Sequence, residues 1–167
     1  MRKLRLMIFL FLLLTIPAGC QVNVGLGIWF GGAQPKRGIS LNLRLNDKIV
    51  LEPIFSFGLG QDQDEWRWGL RCKYDLGSQG EQRRYLGLGI GAIQSSDLWE
   101  TRQELGLNAF VEVSNPGAQF TTAVDLGPSL ARIRYLSNDE EDASVEEYYS
   151  GGMKFGFGYH YNFHQEP

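Results

Sequence analysis

The sequence predicts an all-β protein: an eight-stranded antiparallel up-and-down transmembrane β-barrel that follows an N-terminal signal peptide. Apolar and polar residues alternate with a period of two over most of the chain, as they do in strands with two different faces. The 21 glycines disfavour helices, and the 13% aromatic residues argue against a disordered chain. The net charge of -3 is modest and gives no reason to expect a nucleic-acid partner.

The predicted signal peptide covers residues 1–20. Three basic residues lie among the first five positions, and an almost unbroken apolar run follows at 6–16. A membrane-spanning helix needs about 20 apolar residues, so this run is too short to be one. Small residues before Cys20 are typical of a cleavage site. Ala18-Gly19-Cys20 also resembles the lipobox of bacterial lipoproteins, so lipidation of Cys20 and ordinary cleavage both remain open.

Eight segments carry the alternation in the predicted barrel domain, residues 21–163, and a short tail follows at 164–167. The segments are 21–31, 38–45, 49–59, 65–76, 84–94, 100–114, 119–135 and 149–163. Asn, Asp, Pro and Gly predict tight turns at 46–48 and 115–118, and a somewhat longer turn at 76–83. Longer loops are expected on the other side, at 32–37, 60–64, 95–99 and 137–147. Short turns at one end and longer loops at the other are typical of outer-membrane barrels.

The apolar face of the strands is predicted to lie outside and the polar face inside. An eight-stranded barrel has a narrow interior, and an apolar set that includes Trp66, Trp68 and Phe157 is too bulky to fill it. The polar face carries many of the glycines, which leave space for long charged side chains from facing strands. We therefore predict a luminal charge network. Its members are Arg44, Glu52, Arg67, Arg71, Lys73, Asp75, Glu104, Glu112, Asp125, Arg132, Arg134 and Lys154.

Two features of the strands predict local irregularities. Proline cannot donate to a ladder, so we expect a bulge or a local loss of pairing at Pro53 and at Pro128. Near residues 130–131 the inward and outward sets exchange parity, which predicts a bulge in the seventh strand. Aromatic residues cluster toward the segment ends and are expected to form interfacial belts.

The chain resembles the small bacterial outer-membrane β-barrel family, which includes the OmpA transmembrane domain and OmpX. The resemblance covers residues 21–163 and rests on architecture. The best local match is the last strand, where Gly158, Tyr161 and Phe163 fall at the positions of the family's C-terminal assembly signal. The resemblance implies that the barrel-assembly machinery is a partner during biogenesis, that lipids of the bacterial outer membrane surround the barrel, and that it is a monomer.

The remaining candidate sites have simpler interpretations. His160 is predicted to point inward as a luminal polar group rather than to act as a general base, because no serine lies at useful sequence spacing. The acidic residues of 137–147 are expected to form a solvated loop, with divalent-cation binding as the alternative. They are Asp139, Glu140, Glu141, Asp142, Glu146 and Glu147. No catalytic, cofactor or metal site is predicted.

The sequence predicts a non-enzymatic outer-membrane protein with a structural or surface-interaction role. A narrow pore for small solutes is one alternative. A soluble periplasmic barrel that binds an apolar ligand is another, and it would require the two strand faces to be reversed.

Overall fold

The computed structural model describes residues 23–31, 37–59, 64–97, 99–117, 119–138 and 144–163. The predicted signal peptide with Cys20, the 164–167 tail and most of the acidic loop lie outside these residues. In the part of the chain that is described, no helix is long and apolar enough to cross a membrane.

Eight antiparallel strands form a closed barrel, and each strand pairs with the next along the chain. The ring closes between β1 and β8, where Gly25 pairs with Asn162 and Gly31 pairs with Gly156. Each predicted segment forms one strand. The strands are β1 (Asn23–Gly31), β2 (Arg37–Arg44), β3 (Ile49–Leu59), β4 (Asp64–Gln79), β5 (Gln82–Ser96), β6 (Glu100–Pro116), β7 (Phe120–Ser137) and β8 (Val145–Asn162).

The connection between β4 and β5 is tighter than the predicted turn at 76–83. Pairing continues to Gln79 and Gln82, so only Gly80 and Glu81 connect the two strands. Gly80 has a φ of 64°, as the first central position of a type II′ hairpin turn requires. A register shift between Asp75 and Gly77 gives β4 a bulge, and the Gly77 N–H donates to Asp75 Oδ1 at 2.8 Å.

The predicted bulge in the seventh strand is wrong. The register between β7 and β8 is constant from Phe120↔Tyr161 to Leu136↔Val145. Ile133 is consequently an inward residue and is 5% exposed, while Arg132 and Arg134 on either side of it lie on the outward face. Parity does not change; instead, the outward face turns from apolar to basic after Leu130.

Both prolines coincide with a local loss of pairing, as predicted. The β2–β3 ladder has no partners between Ser40↔Ile54 and Leu43↔Leu51, and Pro53 lies in this gap. The β6–β7 ladder is interrupted between Asn108↔Ser129 and Val111↔Leu126, around Pro128. The register is the same on both sides of each gap, so neither proline produces a bulge.

The apolar face lies outside and the polar face inside. Outward residues such as Leu88 and Phe155 are 67% and 62% exposed, whereas Glu52 and Lys73 are 0% and 2% exposed. The interior also holds buried aromatic rings, among them Trp29 and Phe110. A barrel with its charges inside and its apolar side chains outside is the reverse of an ordinary soluble core.

Glycines on the inner face make room for rings as well as for charged groups. A Cβ on Gly158 would lie 2.4 Å from Trp29, one on Gly87 would lie 2.2 Å from Phe110, and one on Gly27 would lie 2.4 Å from His160. These distances are far below ordinary van der Waals contact. In the narrow lumen these three large side chains therefore occupy space that a side chain at the facing glycine would fill.

Candidate functional site

The luminal charge network is built around Arg71, which extends from β4 across the barrel. Its guanidinium lies 2.8 Å from Glu52 on β3, 2.9 Å from Glu112 on β6 and 2.6 Å from Asp125 on β7. All four side chains are buried. A guanidinium carries five N–H donors in a planar fork, so it can satisfy several carboxylates at once. One side chain thereby connects strands on opposite sides of the lumen.

Two aromatic rings enclose the same guanidinium. The Arg71 Cζ lies 3.8 Å from the centroid of the Trp29 ring and 4.1 Å from that of Phe110. A cation over an aromatic face is attracted by the ring quadrupole, and the attraction is stronger where water is excluded. The Trp29 indole N–H donates to the Gly31 carbonyl at 3.1 Å, so this buried ring is also hydrogen-bonded.

Lys73 extends the network along β4 by one inward position. Its Nζ lies 3.0 Å from Glu112 and 3.3 Å from Glu52. The ring of Tyr85 lies 5.4 Å from the same ammonium group. The network thus joins two cations and three carboxylates, and each member contacts at least one group of opposite charge.

His160 contacts this network through Glu52. Its Nε2 lies 2.9 Å from Glu52 Oε1 and 2.7 Å from Ser40 Oγ, and all three residues are fully buried. Sequence spacing did not reveal Ser40, because only the register of the paired strands brings this serine of β2 close to His160 of β8. Both partners contact the same ring nitrogen, whereas a hydrolytic triad uses one nitrogen for each partner. This arrangement therefore acts as a hydrogen-bonding node.

A second cluster occupies the end of the barrel that carries the termini. Asp75 Oδ2 lies 3.3 Å from Arg44 and 3.4 Å from Arg83, and Arg44 also donates to the Tyr85 hydroxyl at 2.8 Å. A cavity of about 170 Å³ opens beside these groups. Its polar lining includes Asn42, Arg44, Arg83, Ser114, Thr121 and Asn162.

Two smaller ion pairs lie toward the other end of the lumen. Arg67 contacts Glu65 on the same strand. Glu104 is 5% exposed and accepts a hydrogen bond from Arg102 at 2.7 Å. The Arg102 guanidinium in turn lies 5.8 Å from the ring of Tyr135.

Three predicted members do not join the luminal network. Arg132 and Arg134 lie on the outside of β7, where both contact Glu147 of β8, at 2.7 and 3.4 Å. Lys154 has inward parity but is exposed, because the described pairing of β1 with β8 ends at Gly156. Beyond the apolar stretch, hydrogen bonds from Arg132 lower the pKa of the Glu147 carboxyl. The structure thus brings Glu52, Arg71, Lys73, Glu112 and Asp125 together in the middle of the barrel and places Arg132 and Arg134 on its outside.

Charged side chains and aromatic rings that contact one another therefore block the lumen. No family model and no curated protein matches this chain. The interpretation of the site consequently depends on its own contacts. Buried pairs of this kind restrain the strands, and three of the buried polar residues, Lys73, Glu112 and His160, also line the cavity at the end of the lumen.

The residues of the predicted assembly signal lie on both faces of β8. Gly158 faces the Trp29 ring inside the barrel. Tyr161 lies outside, where its ring contacts Phe120 at 5.3 Å and Phe163 at 5.2 Å between centroids. Among the described residues no group of acidic, histidine or cysteine side chains could hold a metal ion. Residues 139–142 of the acidic loop lie outside the described residues.

Proposed function

We propose that this chain is an integral protein of the bacterial outer membrane, with a structural or surface-interaction role and no catalytic activity. The observation that carries the proposal is the inverted distribution of polarity around a closed ring of strands. Exposed apolar side chains surround the outside, and salt-bridged charges are buried within. Such a large apolar surface is unfavourable in water and favourable against lipid acyl chains.

The dimensions of the apolar face support insertion. On β7 the outward positions between residues 120 and 130 carry no charge. A tilted strand needs about 9–11 residues to cross the hydrocarbon core. Closure into a ring also leaves no free strand edge at this depth, which is a requirement in a medium without hydrogen-bonding solvent.

The orientation follows from the connections. The three connections at the end where β1 begins and β8 ends have two to four residues, and those at the opposite end have three to seven, so we assign the first end to the periplasm. At the opposite end β7 and β8 remain paired to Leu136↔Val145, well past the last β1–β8 pair at Gly31↔Gly156. The β7–β8 hairpin therefore extends farther than β1 at this end of the barrel, which supports a role at the cell surface.

The luminal network favours a closed barrel over a narrow pore. Arg71 contacts side chains of β1, β3, β6 and β7, and so crosses the space through which a solute would pass. The soluble ligand-binding alternative requires an apolar lumen. The buried charges of this lumen argue against it.

Gel migration with and without boiling tests the proposal. The protein, refolded in detergent, should migrate differently before and after boiling, because a closed barrel resists unfolding by dodecyl sulfate at room temperature. It should also precipitate when the detergent is removed. A chain that stays soluble without detergent and shows no heat-dependent shift would rule out the membrane barrel.

A further inference from the structure

A basic site lies on the outer surface of the barrel, at the end opposite the termini. Arg134 on β7 pairs with Gln103 on β6, which in turn pairs with Gln94 on β5. A surface cavity of about 280 Å³ opens here. Its lining includes Trp66, Gln94, Gln103, Leu105, Arg132 and Arg134, which we call the outer-rim site.

The outer-rim site lies at the boundary of the apolar surface. Just below it the outward residues are apolar and exposed: Leu105 at 49%, Leu107 at 56% and Leu130 at 55%. Arg132 is the first charged outward residue after this stretch of β7. An arginine at such a boundary is much less costly than one in the middle of a bilayer.

The site has unsatisfied positive charge. Glu147 is the carboxylate that contacts both arginines, and Glu104, which also lines the cavity, is paired with Arg102, so one positive charge is in excess. The side chains of Arg132 and Arg134 are 45% and 39% exposed. Several of their N–H groups are therefore available for a further acceptor.

We propose that the outer-rim site binds the phosphate group of a phosphorylated glycolipid of the outer leaflet, such as lipid A. Arginine suits phosphate because its planar fork donates two parallel hydrogen bonds. The acyl chains of the same molecule would lie along Leu105, Leu107 and Leu130, directly below the arginines. This inference rests on the proposed membrane location and adds a specific ligand class to it.

The test compares binding of bisphosphorylated lipid A to the wild-type chain and to the R132Q/R134Q variant. Both proteins are refolded in a neutral detergent, and binding is measured by titration with native mass spectrometry. Affinity should fall at least tenfold in the variant. The matched control is K48Q/R84Q, which removes two positive charges at the opposite end of the barrel and should bind like the wild type.

Two further ligands separate the possible sources of the phosphate. Lipid A with its phosphates removed should bind the wild type and the R132Q/R134Q variant equally. Inorganic phosphate at millimolar concentration should not displace lipid A; full displacement would identify a free-phosphate site and overturn the lipid assignment. Equal loss of binding in both double variants would show a non-specific charge effect and also overturn it.

The heat-dependent gel shift is recorded on the same preparations. If the wild type shifts and yet binds lipid A no better than R132Q/R134Q does, the outer-rim inference alone fails. If the wild type shows no shift and needs no detergent, the proposed membrane function fails first.

Discussion

The Arg71 side chain contacts three buried carboxylates in the lumen, and its removal should be correspondingly costly. Replacing it with methionine leaves three carboxylates buried, of which Glu52 keeps its contacts with Lys73 and His160 and Glu112 keeps its contact with Lys73. Breaking a buried ion pair by removing one partner costs about 3–5 kcal/mol. We therefore expect Arg71→Met to lower the free energy of unfolding in micelles by ~3–5 kcal/mol, measured by urea titration.

Arg132→Gln is the control for this prediction, because it removes an arginine whose side chain is 45% exposed on the outside. Its unfolding midpoint should stay close to that of the wild type. An Arg71→Met variant as stable as Arg132→Gln would show that the luminal contacts do not hold the barrel together.

The contacts of individual side chains were the hardest feature to predict from the sequence. Alternation places Arg71, Lys73 and Glu52 on the inner face, but it gives no distance between strands that are not neighbours. The contacts of Arg71 with Trp29 and of His160 with Ser40 depend on how the closed ring brings these strands together. The one usable signal was glycine, since Gly156 and Gly158 face the Trp29 ring.

At the scale of the strands, the period of two was sufficient to predict eight elements and their faces. It failed where composition changes along a strand. The polar residues at 132 and 134 were assigned to the lumen, although an unbroken register keeps them outside. Where a strand extends beyond the apolar surface, its outward residues can be charged. In that part of a strand, charge alone therefore does not show that a residue faces the lumen.

The packing of Gly127 on β7 against the backbone of β6 gives a prediction for a single glycine. A Cβ on Gly127 would lie 1.9 Å from the Ala109 carbonyl oxygen and 2.6 Å from Phe110 Cα, which are backbone atoms that cannot move independently. Overpacking a well-packed site typically costs about 1–3 kcal/mol. Gly127→Ala should lower the free energy of unfolding by at least this amount, measured by urea titration in micelles.

Gly152→Ala on β8 is the matched control, since a Cβ there meets nothing within 4 Å. It should leave the unfolding midpoint nearly unchanged. Equal effects of the two substitutions would mean that β6 and β7 are not as close as described.

For the whole molecule, the crossing side chains predict a barrel that does not conduct. The protein reconstituted in a planar lipid bilayer should give no sustained single-channel steps, since Arg71 and Lys73 are held across the lumen by Glu52 and Glu112. A wide porin reconstituted in the same way provides the positive control. Regular steps of stable amplitude would support the pore alternative instead.

Cys72 provides the most direct test of where the apolar surface lies. It lies on the outward face of β4 between Leu70 and Tyr74, is exposed in the isolated barrel and forms no disulfide with any described residue. In lipid vesicles its thiol should resist a water-soluble maleimide, because acyl chains would cover it. A cysteine placed at Asn46, in an exposed turn, should label rapidly in a Cys72→Ser background when the reagent is present on both sides of the bilayer.

The rate of maleimide labelling at Cys72, measured in vesicles and again in urea, tests whether lipid surrounds this face of the barrel. Slow labelling in vesicles and complete labelling after unfolding would support a barrel surrounded by lipid. Labelling at Cys72 as fast as at position 46 in intact vesicles would place this face in water and contradict the membrane assignment.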